Sequence, residues 1–315
     1  MSINSHPTPS ARARDVVAGA YDLHVHVAPD VVPRLIDDLT LAARFKDAGL
    51  AGFVLKSHYV PTAERASVVR AAVPGVDVLG AVTLNQPVGG MNPLAIEIAG
   101  RSGARVVWFP TVDSVNQRHE GASLPAGAKP PMWLGLQEEL RAQGIDPPPV
   151  PVVDDDGRVT SDVSDVLRLI AKYDLVLATG HLSGPEIVVV VKAAADAGVR
   201  RIVVTHPEFP SQSLSVEQQR ELTALGAYME RCFTTPYTGK ISWEKMIDNI
   251  RNVGPEYSLL SSDLGQPFNP PVEDGLALMA DQLLGAGFSE EEVRTMAVTN
   301  TTLLAAPATL VGGAA

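Results

Sequence analysis

Cysteine is all but missing from this 315-residue chain: Cys232 stands alone, which excludes an internal disulfide and a cysteine-rich zinc site. A basic excess is missing as well. The 25 Lys and Arg against 36 Asp and Glu leave a formal charge of −11, and no Lys/Arg cluster appears. Nucleic acid and anionic membrane surfaces both require such a cluster, so neither is an expected partner. No apolar run reaches the ~18 residues of a membrane span. The stretch Met1–Val17 carries Pro7, Pro9, Arg12 and Arg14 and lacks the apolar segment of a signal peptide, so a cytoplasmic setting is the expectation. What is present is ordinary for a packed protein: 45% hydrophobic and 19% charged residues, a balance that excludes disorder, collagen and coiled coil. The length accommodates two domains of ~150 residues, or a single α/β barrel of about 250 or more.

Short apolar runs alternate with amphipathic stretches along the chain. The spacing predicts strands at Tyr21–Val27, Gly52–Ser57, Val76–Thr83, Arg105–Thr111, Leu175–Gly180, Arg201–Thr205, Ala227–Arg231 and Tyr257–Ser262. Most are rich in β-branched residues and apolar at successive positions, as in a parallel sheet covered on both faces. Helices are expected between them: Leu39–Ala48 closing on Gly49, Pro185–Ala197 on Gly198, Ser215–Leu225 on Gly226 and Ser242–Val253 on Gly254. Eight such repeats describe a (β/α)8 TIM barrel in one domain, residues 19–306, between flexible tails at 1–18 and 307–315. An open doubly wound sheet alternates in the same way, but the first strand runs into His-Val-His rather than a Gly-rich phosphate loop, which favours the barrel. The proline-rich stretch 112–161 is too long for an ordinary loop and follows the fourth strand, where it would overhang the active face as a lid. Within it, Val150–Thr160 reads as a small hairpin around Asp156-Gly157, with helix resuming at Ser161 or Asp162.

Five of the seven histidines fall at or just past predicted strand ends: His24, His26, His58, His181 and His206, with Asp263 at the corresponding place after the eighth strand. A single histidine is more often a satisfied core or surface residue. Five at the ends that converge on one mouth point instead to a metal site, because neutral imidazole is the commonest ligand for zinc and related ions. His24 and His26 lie two apart on a strand and so share a face. Cys232 reads as an inert thiol near the seventh strand, and Asn92-Pro93 as a helix start rather than a phosphate loop.

The motifs Asp22-Leu23-His24-Val25-His26, Gly180-His181, Thr205-His206-Pro207 and Ser262-Asp263, with a closing helix over Met296–Leu304, resemble the amidohydrolase superfamily and most of all its phosphotriesterase-like branch. The resemblance spans about Tyr21 to Leu304. It implies that His24 and His26 bind one metal, His181 and His206 a second, and that Asp263 contributes to the first and acts as the catalytic acid–base. His206 is equally suited to polarise the bond under attack. The family's bridging ligand on the fourth strand is absent, since Val106-Val107-Trp108-Phe109 offers neither lysine nor glutamate. Lys56 at the end of the second strand is the substitute: a desolvated amine can become a carboxylated lysine joining two ions, or remain an ammonium paired with Asp263 or a substrate anion. His58, Glu230, Arg231, Trp108, His119 and Gln266 are candidates for substrate contact, Glu230 also as a partner of a metal-bound imidazole.

The resulting expectation is a hydrolase using one or two divalent ions, zinc first, with Mn, Fe, Co or Ni also compatible with these ligands. Its substrate would be a small molecule with an amide, ester, lactone or cyclic-imide bond. A metal-dependent non-oxidative decarboxylase is the alternative, and a non-catalytic barrel the third reading. The oligomeric state is not readable from the sequence; a homo-oligomer is compatible with it, dimers being the commonest kind.

Overall fold

Eight parallel strands form one sheet in the order β1-β2-β3-β4-β5-β6-β7-β8. They are β1 (Tyr21–Val25), β2 (Gly52–Leu55), β3 (Asp77–Thr83), β4 (Ala104–Trp108), β5 (Val176–Ala178), β6 (Arg201–Val204), β7 (Ala227–Cys232) and β8 (Ser258–Ser261). This computed structural model describes residues 6–120 and 131–307, without the side chains of residues 119 and 120. The sheet closes where His26 N–H donates to Leu264 O at 2.8 Å and Asp263 N–H to His24 O at 2.9 Å. Closure excludes the open-sheet alternative. Leu23, Val54, Leu79, Val106, Val176, Val203 and Leu259 come from seven different strands yet form one buried cluster, which only the inside of a barrel permits. Two larger apolar clusters fill the space between strands and helices.

Helices α1 (Ala11–Val17), α2 (Asp38–Asp47), α3 (Ala63–Ala72), α4 (Pro93–Arg101), α5 (Val115–Glu120), α6 (Met132–Ala142) and α7 (Ser161–Lys172) belong to the first half. The second half adds α8 (Gly184–Asp196), α9 (Val216–Thr223), α10 (Thr234–Tyr237), α11 (Trp243–Val253), α12 (Gly275–Gly285), α13 (Glu290–Arg294) and α14 (Asn300–Ala305). Their starts follow local chemistry. Asp37 accepts the Thr40 N–H at the head of α2, and Ser183 with Glu186 and Ser215 with Gln218 form reciprocal caps on α8 and α9. Asn92 caps α4, as its sequence predicted. Among the described residues no helix is long and apolar enough to cross a membrane.

Two regions depart from expectation. The stretch 1–18 is not simply a tail: α1 buries Ala13, Val16 and Val17 against α12 and α13, and Ser10 is tied to Asp281 by bonds of 2.6 and 2.8 Å. Its polar residues and prolines hid an i, i+3, i+4 apolar stripe. The insertion after β4, read as loop and hairpin, also holds α5 and α6; Gln137 of α6 donates to Val112 O at 2.7 Å. The hairpin is reduced to one bridge between Val153 and Val159 around a turn in which Gly157 N–H donates to Asp154 O. The expected 307–315 tail lies outside the described residues beyond Pro307.

Candidate metal centre

The C-terminal strand ends carry the chemistry because that is where eight strands converge. His24 lies on β1, and just past the ends of β1, β2, β6 and β8 stand His26, Lys56, His206 and Asp263, all at one mouth. Both His206 (φ 49°) and Asp263 (φ 53°) stand in the left-handed region, so the chain kinks as it leaves each strand. Gly265 (φ 128°) lets the loop after β8 approach β1; a Cβ there would lie 1.6 Å from His26 O.

One carboxylate oxygen organises the cluster. Asp263 Oδ1 lies 3.2 Å from His24 Nε2 and 3.1 Å from His26 Nε2, while its Oδ2 accepts from Thr234 Oγ1 at 2.8 Å and lies 3.9 Å from His206 Nε2. The other nitrogen of His24 faces Glu230 Oε1 at 3.1 Å, and Lys56 Nζ lies 2.7 Å from His24 Nε2. With Glu230 ionised, this network assigns the proton to Nδ1 of His24 and a lone pair to Nε2. Two acceptors, His24 Nε2 and Asp263 Oδ1, then face each other 3.2 Å apart, His24 fully buried and Asp263 half-buried at the cavity wall. Such a pair calls for a positive charge, which a protonated Lys56 supplies at its edge and a divalent ion would supply more fully. The donor set of two imidazoles and a carboxylate fits a divalent metal ion.

Electrostatics agree with that reading. Burial drives His26, His58 and His181 well below the usual histidine value and His206 to about 4, so at neutral pH all four rings are uncharged and keep a lone pair. Burial works to raise Asp263, but the surrounding histidines outweigh it and hold the carboxyl well below its usual range. Burial lowers Lys56, opposed by Asp263 and Glu230.

Above the cluster opens a cavity of about 280 Å³ lined by His26, Lys56, His58, His181, His206 and Asp263. Trp133, Phe209 and Phe268 give it apolar walls, and Arg34, Lys240 and Gln266 polar ones. Trp133 belongs to α6, so the insertion does reach over the mouth. His58 is fixed at its Nδ1 by Thr111 Oγ1 at 2.9 Å. His181 stands further out, its ring 5.9 Å from His206 and 6.0 Å from His58, and is not part of the tightest ligand groups.

Several residues expected at the substrate sit elsewhere. Arg231 points outward through the barrel wall, fully buried, where it is paired with Glu208, Gln219 Oε1 at 2.9 Å and Ser258 Oγ at 3.3 Å. Adjacent strand residues face opposite sides, so with Glu230 turned inward Arg231 cannot be. Glu230 itself holds His24 from below rather than lining the cavity. Trp108 lies beneath the site, its ring 5.5 Å from that of His24 and also outside the cavity. Gln266 is at the rim, donating to Asp263 O and accepting from Asn269. The side chain of His119 lies outside the described residues. Sequence reasoning missed Arg34, which is clamped by Asp30 and points a guanidinium nitrogen at His26 Nδ1 from 3.3 Å, and Thr234. It also set Cys232 aside, whereas its sulfur lies 3.8 Å from His24 Nδ1.

The sequence profile of a family described as "Family of unknown function (DUF6282)" matches residues 19–230. No curated protein matches in sequence. Solved structures with this fold include an amidohydrolase from Pseudomonas aeruginosa, 9% identical with a TM-score of 0.58, covering 93% of this chain and 97% of that one. Dipeptidase AC, a metallopeptidase, is 14% identical with a TM-score of 0.57 over 93% of this chain and 100% of its own. An organophosphorus hydrolase from Deinococcus radiodurans is 16% identical with a TM-score of 0.54 over 96% and 97%. At these identities the likeness shows the fold alone: a single-domain (β/α)8 barrel.

Proposed function

The chain belongs to the DUF6282 family, and from its site we propose that it is a metal-dependent hydrolase cleaving an amide, ester, lactone or cyclic-imide bond in a small molecule. The observation that carries this is the meeting of His24 Nε2 and His26 Nε2 with Asp263 Oδ1, at 3.2 and 3.1 Å, beside the cavity. These three would hold the ion, zinc by preference. A divalent ion held there would supply Lewis acidity, acidifying a water toward neutral pH and polarising the oxygen under attack.

The remaining work falls to the chain. Glu230 keeps the proton of His24 on Nδ1 and the ring turned to the site. Asp263, ionised and steadied by Thr234, takes a proton from the attacking water and returns it to the leaving group. His206, neutral because burial lowers it to about 4, offers a ring nitrogen to the ion or to the scissile group. A cavity of about 280 Å³ is at the small end for ligand sites, which run from roughly 300 to 1,000 Å³, so the substrate is compact.

The test is a metal count per chain on purified protein, followed by a panel of small esters, lactones and amides with and without chelator. Absence of bound metal after supplementation, or turnover indifferent to chelation, would overturn the proposal. One observation favours a second reading. Trp108 occupies the site-facing end of β4, where no bridging ligand is present, and a single-ion centre also serves a decarboxylase; release of carbon dioxide instead of a hydrolysed bond would select it.

A further inference from the structure

His24 has two faces, and only one looks at Asp263. Its Nδ1 turns to β7, where Glu230 and Cys232, two residues apart, project to the same inner side. Cys232 Sγ lies 3.8 Å from that nitrogen, and His206 closes the group, its ring 5.3 Å from that of His24. One ligand atom each from His24, His206 and Cys232 falls within 4.8 Å of the others, all three residues buried. Next to them, two polar atoms lack any partner although they are sealed from solvent: the second carboxylate oxygen of Glu230 and Nδ1 of His206. A buried carboxylate oxygen left unpaired is costly, and orphans of this kind mark a missing ligand.

We propose that Cys232, His206 and the Nδ1 face of His24, flanked by the free oxygen of Glu230, form a second cation site behind the Asp263 site, and that it takes a thiophilic divalent ion such as Zn²⁺, Co²⁺ or Cd²⁺. Thiolate and imidazole donors favour these ions, whereas Mg²⁺ and Mn²⁺ prefer oxygen. On binding, the thiol gives up its proton to solvent and the sulfur forms the bond to the ion, with no change of oxidation state. A neutral imidazole has one lone pair, so His24 serves one site at a time: protonated at Nδ1 it faces the Asp263 site; protonated at Nε2, which requires Lys56 Nζ at 2.7 Å to stop donating to that nitrogen, it donates to Asp263 Oδ1, 3.2 Å away, and ligates on the β7 side. His206 lines the cavity and links it to this inner group. The inference is independent of which reaction the barrel performs, because it concerns ion binding alone.

The experiment is titration of chelator-treated full-length protein with Co²⁺ alone, followed by absorption spectroscopy. A sulfur-to-cobalt charge-transfer band in the near ultraviolet, saturating with added ion, is the expected result. Cys232→Ser should abolish the band and weaken Co²⁺ affinity by about tenfold or more, while Mn²⁺ binding is unchanged. Asp263→Asn should keep the band, since the carboxylate belongs to the other site. The wild-type titration decides the matter even if a variant misfolds: cobalt that binds without a charge-transfer band overturns the thiolate site and leaves the Asp263 site standing. A wild-type protein that binds no cobalt overturns both. A band lost in Asp263→Asn that still folds would show one merged site and overturn the separation.

Discussion

Removing Glu208 should destabilise the barrel without touching its chemistry. The Arg231 and Glu208 side chains are 0% and 1% exposed, and burial alone draws the guanidinium down to about 9. Taking away one partner of such a pair leaves an uncompensated buried charge, which costs about 3–5 kcal/mol. Gln219 Oε1 still accepts at 2.9 Å, so the lower part of that range applies to Glu208→Ala. With an unfolding entropy near 2.1 cal/mol/K per residue, the 315-residue chain loses roughly 5 °C in Tm. Calorimetry of wild type and Glu208→Ala, alongside metal stoichiometry, measures both quantities. The double variant Glu208→Leu/Arg231→Met should recover most of the lost stability, because apolar replacement of a buried pair is often neutral or better. A Tm change below ~1 °C, or a variant that folds normally but loses its metal, would refute the placement of Arg231 in the wall.

Three other outcomes are expected. Asp263→Asn should abolish turnover and weaken ion binding while leaving the Tm within a few degrees; full turnover would remove Asp263 from its role. Gly265→Ala forces a Cβ into the space of His26 O, so it should lower both Tm and metal affinity, as calorimetry and metal titration would show, whereas Gly287→Ala, also at positive φ but with nothing within 4 Å, should lower Tm alone. Glu97, held down to about 2 by hydrogen bonds from Tyr173, Lys172 and Arg101, links α4 to α7. Its folded pKa lies below its unfolded one, so its stabilisation is present above about pH 4.5 and fades as the pH falls toward 2; the Tm gap between wild type and Glu97→Gln should close over that interval.

The strands were legible because doubly covered parallel strands read as unbroken apolar runs, here rich in β-branched residues and too short for helices. The histidines were legible because this fold gathers strand ends. What escaped had specific physical reasons. Glu230 and Arg231 are neighbours, and deciding which faces inward requires the strand's parity, which a fully buried run does not reveal. Once Glu230 is known to face His24, the period of two places Cys232 beside it, so that signal was present but unused. Arg34 sits in an irregular loop where no periodicity applies, and only the fold shows that it reaches back to His26. Helix α1 was concealed by a polar composition over a three-residue apolar stripe.

The kinked exits at His206 and Asp263 carry a further implication. A side chain at φ near +50° is strained by about 1–2 kcal/mol relative to glycine. Replacing either residue by glycine should therefore yield a sturdier barrel than replacing it by alanine, and a chemically silent one. At these two corners sturdiness and chemistry therefore pull in opposite directions: the residue that would best suit the backbone has no side chain to offer an ion or a water.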